Sequence, residues 1–377
     1  MSLNSFSGLH EDILRLIAEK IDLIVDFIRV GAVCKSWRSV TLDKRHFSLF
    51  LKPLPWLMLT ANDGEEIRSF FSPFENKIYR LNLPKASGCH CWGSPFGWVV
   101  TVAFDHKVHM LNPLSRASLP LPPLSAFNDR YFDAKSPGKN RMSYITKAVV
   151  AKVSSSSIAE EQFLVLIIYG GCNSLAFARP GDETWTPMLC HTKTVFDALY
   201  FNGQFYAVNS WGFVHLCDTY GLPSSQSTIF ARPPPNVKGV DRFYILELQG
   251  ELHLVVRVLD FGTDMPAIEF QHLLKTKLIE VYKCDFCTRK WEKLQNLGDH
   301  AIFIGSNNSF SLKASDYPGC KPSCIYFTDD HNEASGRLVG HDMGIFNMDT
   351  VEIERLYEGH DSLSRYSPPV WITPHLL

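Results

Sequence analysis

The chain has 377 residues, 45% of them hydrophobic and 20% charged, with a formal net charge of −2. This is ordinary globular composition, enough for a sizeable core and for one small domain beside one large one. The near-neutral balance speaks against a polyanion-binding surface, so nucleic acid is not an expected partner, and no apolar run approaches the roughly 18 residues of a membrane span.

Met1 to Gly8 is short and polar, and Glu11, Asp12 and Arg15 follow directly, so no secretory signal is expected here. The expected setting is the nucleus or cytoplasm, with no membrane. The ten cysteines are scattered, several inside apolar runs (Cys34, Cys172, Cys190, Cys217), as suits small buried thiols in a reducing compartment. Away from the secretory route, the sequon Asn307-Asn308-Ser309 carries little meaning.

The first fifty residues are patterned as helices. Ile13, Leu14, Leu16, Ile17 and Ile21 make one apolar stripe among Glu11, Asp12, Arg15, Glu19 and Lys20. A second group is Leu23, Ile24, Val25, Phe27 and Ile28. A third is Val30, Val33, Cys34, Trp37 and Val40, interleaved with Lys35, Arg38, Lys44 and Arg45. Three short helices in about 45 residues bury too little surface to be comfortable alone. This unit should lean on a partner or on the rest of the chain.

Leu9-His10-Glu11-Asp12-Ile13-Leu14, then Ile17, then Val33-Cys34-Lys35-Ser36-Trp37-Arg38, resembles the F-box, with His10 where that motif usually has Pro. The resemblance implies docking to the Skp-type adaptor of a cullin-containing ubiquitin ligase. Matched residue by residue, it implies an adaptor-binding set of Leu9, Ile13, Leu16, Ile17, Val33, Cys34, Trp37 and Arg38.

From Leu51 onward the signals are strands and turns. Trp98 to Phe104 is β-prone, Asp105-His106 breaks it, and Lys107 to Leu111 resumes with alternation. Asn202-Gly203 between Tyr200-Phe201 and Phe205-Tyr206 predicts a type I′ hairpin, whose two central residues need positive φ. Leu246 to Leu254 repeats that plan around Gly250. Four segments share a strand, an Asn or Asp turn and a short second strand: Val108 to Pro120, Phe177 to Met188, Val281 to Leu294, and Gly344 to Leu356. They resemble the third and fourth strands of a kelch-like blade, and the two hairpins resemble the second and third. At about 50 residues per repeat, the region holds six or seven blades. Closing the ring hides sheet edges, and it requires Trp56-Leu57-Met58-Leu59 and Val370-Trp371-Ile372 to share or adjoin a blade. Ser323 to Asp330, Asp342 to Asn347 and Pro369 to Pro374 resemble plant F-box proteins with a KIB-type propeller.

The expected architecture is therefore α+β multidomain: a three-helix F-box over 1–50, then an all-β propeller over 51–377. The expected role is a non-catalytic substrate receptor that joins an adaptor, and through it a cullin, to a target protein, with no cofactor. Two rivals remain: an F-box-like scaffold without a ubiquitylation role, which the sequence does not separate from the receptor, and a propeller enzyme (a hydrolase or oxidase) with a helical cap, which would show convergent carboxylates or metal ligands at the ring's mouth. Cys284-x-x-Cys287 and Cys320-x-x-x-Cys324 could supply four thiolates to zinc, but the spacings are loose and buried thiols are expected. Asp329-Asp330-His331 reads as a solvated loop, and the Pro-rich stretches Leu119 to Leu124 and Arg232 to Pro235 as stiff connectors. The loop from Asp129 to Arg141 carries Lys135, Lys139 and Arg141 and is the candidate target-binding element, since loops on rigid scaffolds carry recognition.

Overall fold

The computed structural model describes residues 9–18, 20–21, 24–31, 33–41, 53–61, 64–127, 132, 135–136, 138, 140, 143–155, 158–188, 194–217, 228–235, 237, 242–260, 275–330, 342–357, 359 and 368–375. Three helices come first: α1 (Glu11–Ala18), α2 (Ile24–Gly31) and α3 (Lys35–Thr41). Among the described residues twenty-five strands follow, arranged as six sheets.

Each sheet is one blade of a propeller. Blade 1 joins β1 (Trp56–Met58), β2 (Ile67–Ser72) and β3 (Lys77–Asn82) to the last strand, β25 (Val370–Ile372). Blade 2 is β4 (His90–Gly93), β5 (Val99–Val102), β6 (Val108–Leu111) and β7 (Ser118–Leu121). Blade 3 is β8 (Ile145–Ser155), β9 (Ile158–Tyr169), β10 (Ser174–Ala178) and β11 (Thr186–Met188). Blade 4 is β12 (Val195–Phe201), β13 (Gln204–Asn209), β14 (Val214–Cys217) and β15 (Thr228–Ala231). Blade 5 is β16 (Arg242–Leu248), β17 (Glu251–Asp260), β18 (Lys275–Asp285) and β19 (Lys290–Lys293). Blade 6 has five strands, β20 (His300–Ile304), β21 (Phe310–Lys313), β22 (Cys324–Phe327), β23 (Gly344–Asn347) and β24 (Glu352–Arg355).

The ring closes through backbone pairing of the chain's two ends. Trp56, Leu57 and Met58 stand opposite Ile372, Trp371 and Val370, antiparallel. This is the closure that the sequence required. All four repeated segments form the outer two strands of a blade, as expected. The two hairpins correct the expectation. β12–β13 and β16–β17 are first and second strands, because β12 and β16 face the axis. Their turn geometry is as predicted, with φ of 50° and 79° at Asn202 and Gly203, and 56° and 76° at Gln249 and Gly250.

The core lies in the seams between blades. Each seam carries one buried apolar cluster, six in all among the described residues. Successive residues of a strand feed opposite seams, as the twofold alternation of a strand demands. Trp56 and Met58 pack toward blade 2, while Leu57 and Leu59 pack toward blade 6. Both faces of each inner sheet are covered, so those strands read as continuous apolar runs.

Among the imidazoles buried in this interior are those of His215 and His253. Burial depresses His215 and His253 below the usual histidine range, and neither ring nitrogen of His215 meets a hydrogen-bond partner among the described residues. The unfolded chain then binds more protons, so their contribution to stability is present above pH about 6.5 and is lost as pH falls below it. The melting temperature should be flat above neutrality and fall toward pH 5.5, and His215→Leu should shallow that slope. An unchanged slope in the variant would show that His215 binds protons equally in the folded and unfolded chain, and so that its burial does not set the pH dependence.

Candidate functional site

The N-terminal helices carry two apolar faces. Glu11 and Asp12 occupy the first turn of α1, where negative charge suits the helix dipole. Arg15 binds Glu11 one turn back at 2.8 Å. His10, in place of the motif's Pro, lends its carbonyl to the amides of Ile13 and Leu14, and its Nδ1 accepts from the Asp12 amide at 3.4 Å. The helix start is thus defined without Pro.

Leu14 and Ala18, one turn apart, are buried together with Val40 of α3 in the seam of blades 1 and 2, beside Trp56, Phe70 and Tyr79. Leu9, Ile21 and Trp37 pack partly against the same cluster. The opposite side of the unit is open: Ile13 is 47% exposed, Leu16 60% and Val33 57%. Of the sequence-derived adaptor set, these three are exposed, as is Arg38; Ile17 and Cys34 are half-buried, and Leu9 and Trp37 pack partly against the cluster that the helices share with the blades. The single stripe read from the sequence is therefore divided, part spent within the chain and part left at the surface.

The second region is the axis of the ring. It is lined by β25, β4, β8, β12, β16 and β21, each beside the next. Between β20 and β21, residues Gly305-Ser306-Asn307-Asn308-Ser309 cross the axis and plug it. Asn308 is held by both backbone groups of Val150 in blade 3, at 2.9 and 2.7 Å, and its amide donates to Gly93 of blade 2. Asn307 accepts from the Trp371 amide of blade 1. Ser309 donates to Asp197 of blade 4 at 2.6 Å, and Asp197 forms a buried ion pair with Lys147 at 2.8 Å. Asp197 pays a desolvation cost that raises its carboxyl above the usual range, which the adjacent Lys147 ammonium opposes. The Asn307 sequon is buried in this plug.

A cup lies on each side of the plug. The upper cup, about 290 Å³, is lined by the starts of β8, β12 and β16, with Thr146, Lys147, Phe196, Arg242, Ser306 and Asp330 among its walls. The lower cup, about 430 Å³, is lined by the far ends of the same strands and includes Phe96, Lys152, Tyr200, Glu247 and Phe310. Asp330 belongs to a buried network centred on Arg257. The guanidinium binds Asp342 at 2.7 Å, Asp330 at 3.3 Å, Thr276 at 2.7 Å, the Tyr244 hydroxyl and the Thr328 carbonyl. Burial and Asp330 push the Tyr244 phenol well above its usual range. The reading of Asp329-Asp330 as a solvated loop is therefore corrected: Asp329 is buried, and Asp330 is tied to Arg257. His331 lies outside the described residues.

Carboxylates do gather near the upper cup, but Asp197, Asp330 and Asp342 are each engaged by a cation. Sequence reasoning passed over Asp197 and Asp342 and read Asp330 as solvated, because their partners are distant in the chain. The cysteine pairs sit in separate blades, Cys284 and Cys287 in blade 5, Cys320 and Cys324 in blade 6. Burial pushes the Cys284 and Cys324 thiols up to about 11 and Cys320 to about 12. Among the described residues no three His, Cys, Asp or Glu side chains converge in metal-binding geometry, and no helix is long and apolar enough to cross a membrane.

Of the candidate target-binding residues, Lys135 is exposed, while Lys139 and Arg141 lie outside the described residues. The same loop contributes Phe132, which packs edge-on against His106 and Tyr144, and Asn140, 3.3 Å from His106. It leads into Ser143, Thr146 and Lys147 of the upper cup. Of the Pro-rich stretches, Arg232 to Pro235 does connect blades 4 and 5, but Leu119 to Leu121 is part of outer strand β7, where Pro at an edge costs no ladder bond.

A closed six-bladed ring, plugged on its axis and bearing a helical unit in one seam, defines the chain as a β-propeller with an N-terminal helical attachment. It belongs to the family of the KIB1-4 beta-propeller, whose model matches residues 70–347. The F-box protein SKIP23 of Arabidopsis thaliana is 27% identical to it over 98% of this chain and 96% of its own length. A second F-box protein of the same plant is 25% identical over 98% of this chain and 95% of its own length.

Proposed function

We propose that the chain is a substrate receptor of a Skp–cullin–F-box ubiquitin ligase, with residues 1–50 docking a Skp-type adaptor and the propeller holding a target protein. The observation that carries this is the exposure of Ile13 and Leu16 on α1 and of Val33 between α2 and α3, on a unit whose Leu14, Ala18 and Val40 are anchored in a blade seam. Exposed large apolar side chains clustered on a small helical unit mark an interface. The full-length likeness to proteins named as F-box proteins supports the same reading. The chain then makes no bond itself; it raises the local concentration of a target near a partner enzyme.

The test must leave the seam intact. Trp37 and Leu14 support the propeller, so changing them would confuse docking with folding. Leu16→Asp combined with Val33→Asp touches only exposed positions, where stability should move by no more than about 0.5 kcal/mol each. Capture on an immobilised Skp-type adaptor should fall by about tenfold or more, with an unchanged melting curve. Capture at the wild-type level would remove the reading's support.

A further inference from the structure

The lower cup holds a charge that neither the adaptor reading nor the plug uses. Glu247, next to last in β16, is exposed and belongs to the cup's lining. Its Oε1 accepts from the Gly250 amide of the β16–β17 turn, which fixes the side chain, while Oε2 has no hydrogen-bond partner among the described residues. Four aromatic side chains share the lining with it: Phe96, Tyr200, Phe201 and Phe310. The cup's other charged side chain is Lys152. Its ammonium lies 5.4 Å over the Phe96 ring and 6.0 Å over the Phe163 ring, against blades 2 and 3. A carboxylate among aromatic rings suits an ammonium or guanidinium group, which takes an ion pair from the one and a cation–π attraction from the others. Lys152 confines such a group to the blade 5 side, beside Glu247.

The cup continues into an aromatic ridge. Phe201, at the end of β12, lines the cup, and its ring lies 6.0 Å from that of Phe286. Phe286 follows β18, is 41% exposed, and has the Phe230 ring 5.2 Å away. Its turn is rigid. The Asp285 carboxylate accepts from the Cys287 amide at 2.8 Å and from the Thr288 hydroxyl at 2.7 Å, and the Asp285 carbonyl accepts from the Arg289 amide at 2.7 Å. The Arg289 guanidinium lies 5.4 Å over Phe230, so the ridge carries a positive charge and repels a second cation. A fixed, partly exposed aromatic side chain of this kind is typical of an interface core. The surface therefore has a direction, with a cation in the cup and an apolar group on the ridge.

We propose that the lower cup and Phe286 form the docking site for an extended basic segment of the target protein, with a Lys or Arg side chain entering beside Glu247 and an apolar side chain lying on Phe286. This rests on the reading of the chain as a substrate receptor. It places recognition on the other side of the plug from the loop that leads from Lys135 into β8.

The test is selection of a phage-displayed random-peptide library on the immobilised full-length chain. Enriched peptides should pair a Lys or Arg with an aliphatic or aromatic residue at fixed spacing. Glu247→Gln keeps an acceptor for the Gly250 amide and should weaken a selected peptide by about fivefold, and Glu247→Lys and Phe286→Ala by about tenfold or more. Replacing the peptide's basic residue by Glu should restore binding to Glu247→Lys alone, an exchange that a misfolded variant could not show. No enrichment, enrichment without basic residues, or binding within about twofold of wild type in Glu247→Lys or Phe286→Ala would overturn the proposal. Adaptor capture is measured in parallel. Its absence in the wild-type chain would sink the receptor reading, while the peptide result decides this site on its own.

Discussion

Removing residues 368–377 is expected to leave a chain that does not form a cooperative propeller. Those residues supply β25, whose Val370, Trp371 and Ile372 are all buried. Truncating a buried Trp alone costs about 3–5 kcal/mol, and burying each of the flanking aliphatics is worth about 1.5–3 kcal/mol. Their sum is comparable with the entire stability of a typical domain, about 5–15 kcal/mol. The loss is also structural. β1 would become an open inner edge with three unpaired positions, and such an edge recruits other chains. The plug would lose the Trp371 amide that holds Asn307. Gly93, which approaches so closely that a Cβ would lie 2.0 Å from the Trp371 carbonyl oxygen, would face a void. Far-UV circular dichroism and gel filtration should report a broad, low melting transition and aggregation. Trp371→Ala should melt cooperatively but earlier. A truncated chain that stays monomeric and melts like the full one would show that the ring is held by its seams and not by its closure.

Much of this architecture could be read before any coordinates, because it is local. Asn202-Gly203 dictates a tight turn whatever surrounds it, and the Asn or Asp turns of the four repeated segments mark outer strand pairs by the same chemistry. The ring's closure followed from the edge problem rather than from any motif. What was misread needed distant information. Turn chemistry does not say which strand faces an axis, so the two hairpins were assigned one strand too far out. The plug looked like an ordinary polar stretch because Asn307 and Asn308 find their partners 64 and 158 positions away. The helical period located an apolar stripe, but only packing shows that Leu14 and Ala18 turn inward while Ile13 and Leu16 turn out.

Arg257 is the extreme case of a residue whose role is invisible in its own neighbourhood, and Arg257→Ala is expected to be the most damaging single substitution in the seam of blades 5 and 6. It lies in the apolar run Leu254 to Leu259 and is fully buried. Its carboxylate partners are 73 and 85 positions away. Removing the guanidinium leaves Asp342 and Asp330 in the wall without their countercharge, and breaking such a buried set from one side costs about 3–5 kcal/mol. Lys should not rescue it. One ammonium has three donors and cannot span Thr276, Tyr244, the Thr328 carbonyl and two carboxylates as the planar guanidinium does. Arg257→Met combined with Asp342→Asn and Asp330→Asn removes the stranded charges together with the cation, and should recover part of the loss. Thermal or urea unfolding checks the order of stability: wild type, then the triple variant, then Arg257→Ala. Should Arg257→Ala melt within about 0.5 kcal/mol of wild type, as a surface substitution would, the carboxylates must be solvated or protonated, and the upper cup would be wetter and more acidic than its geometry shows.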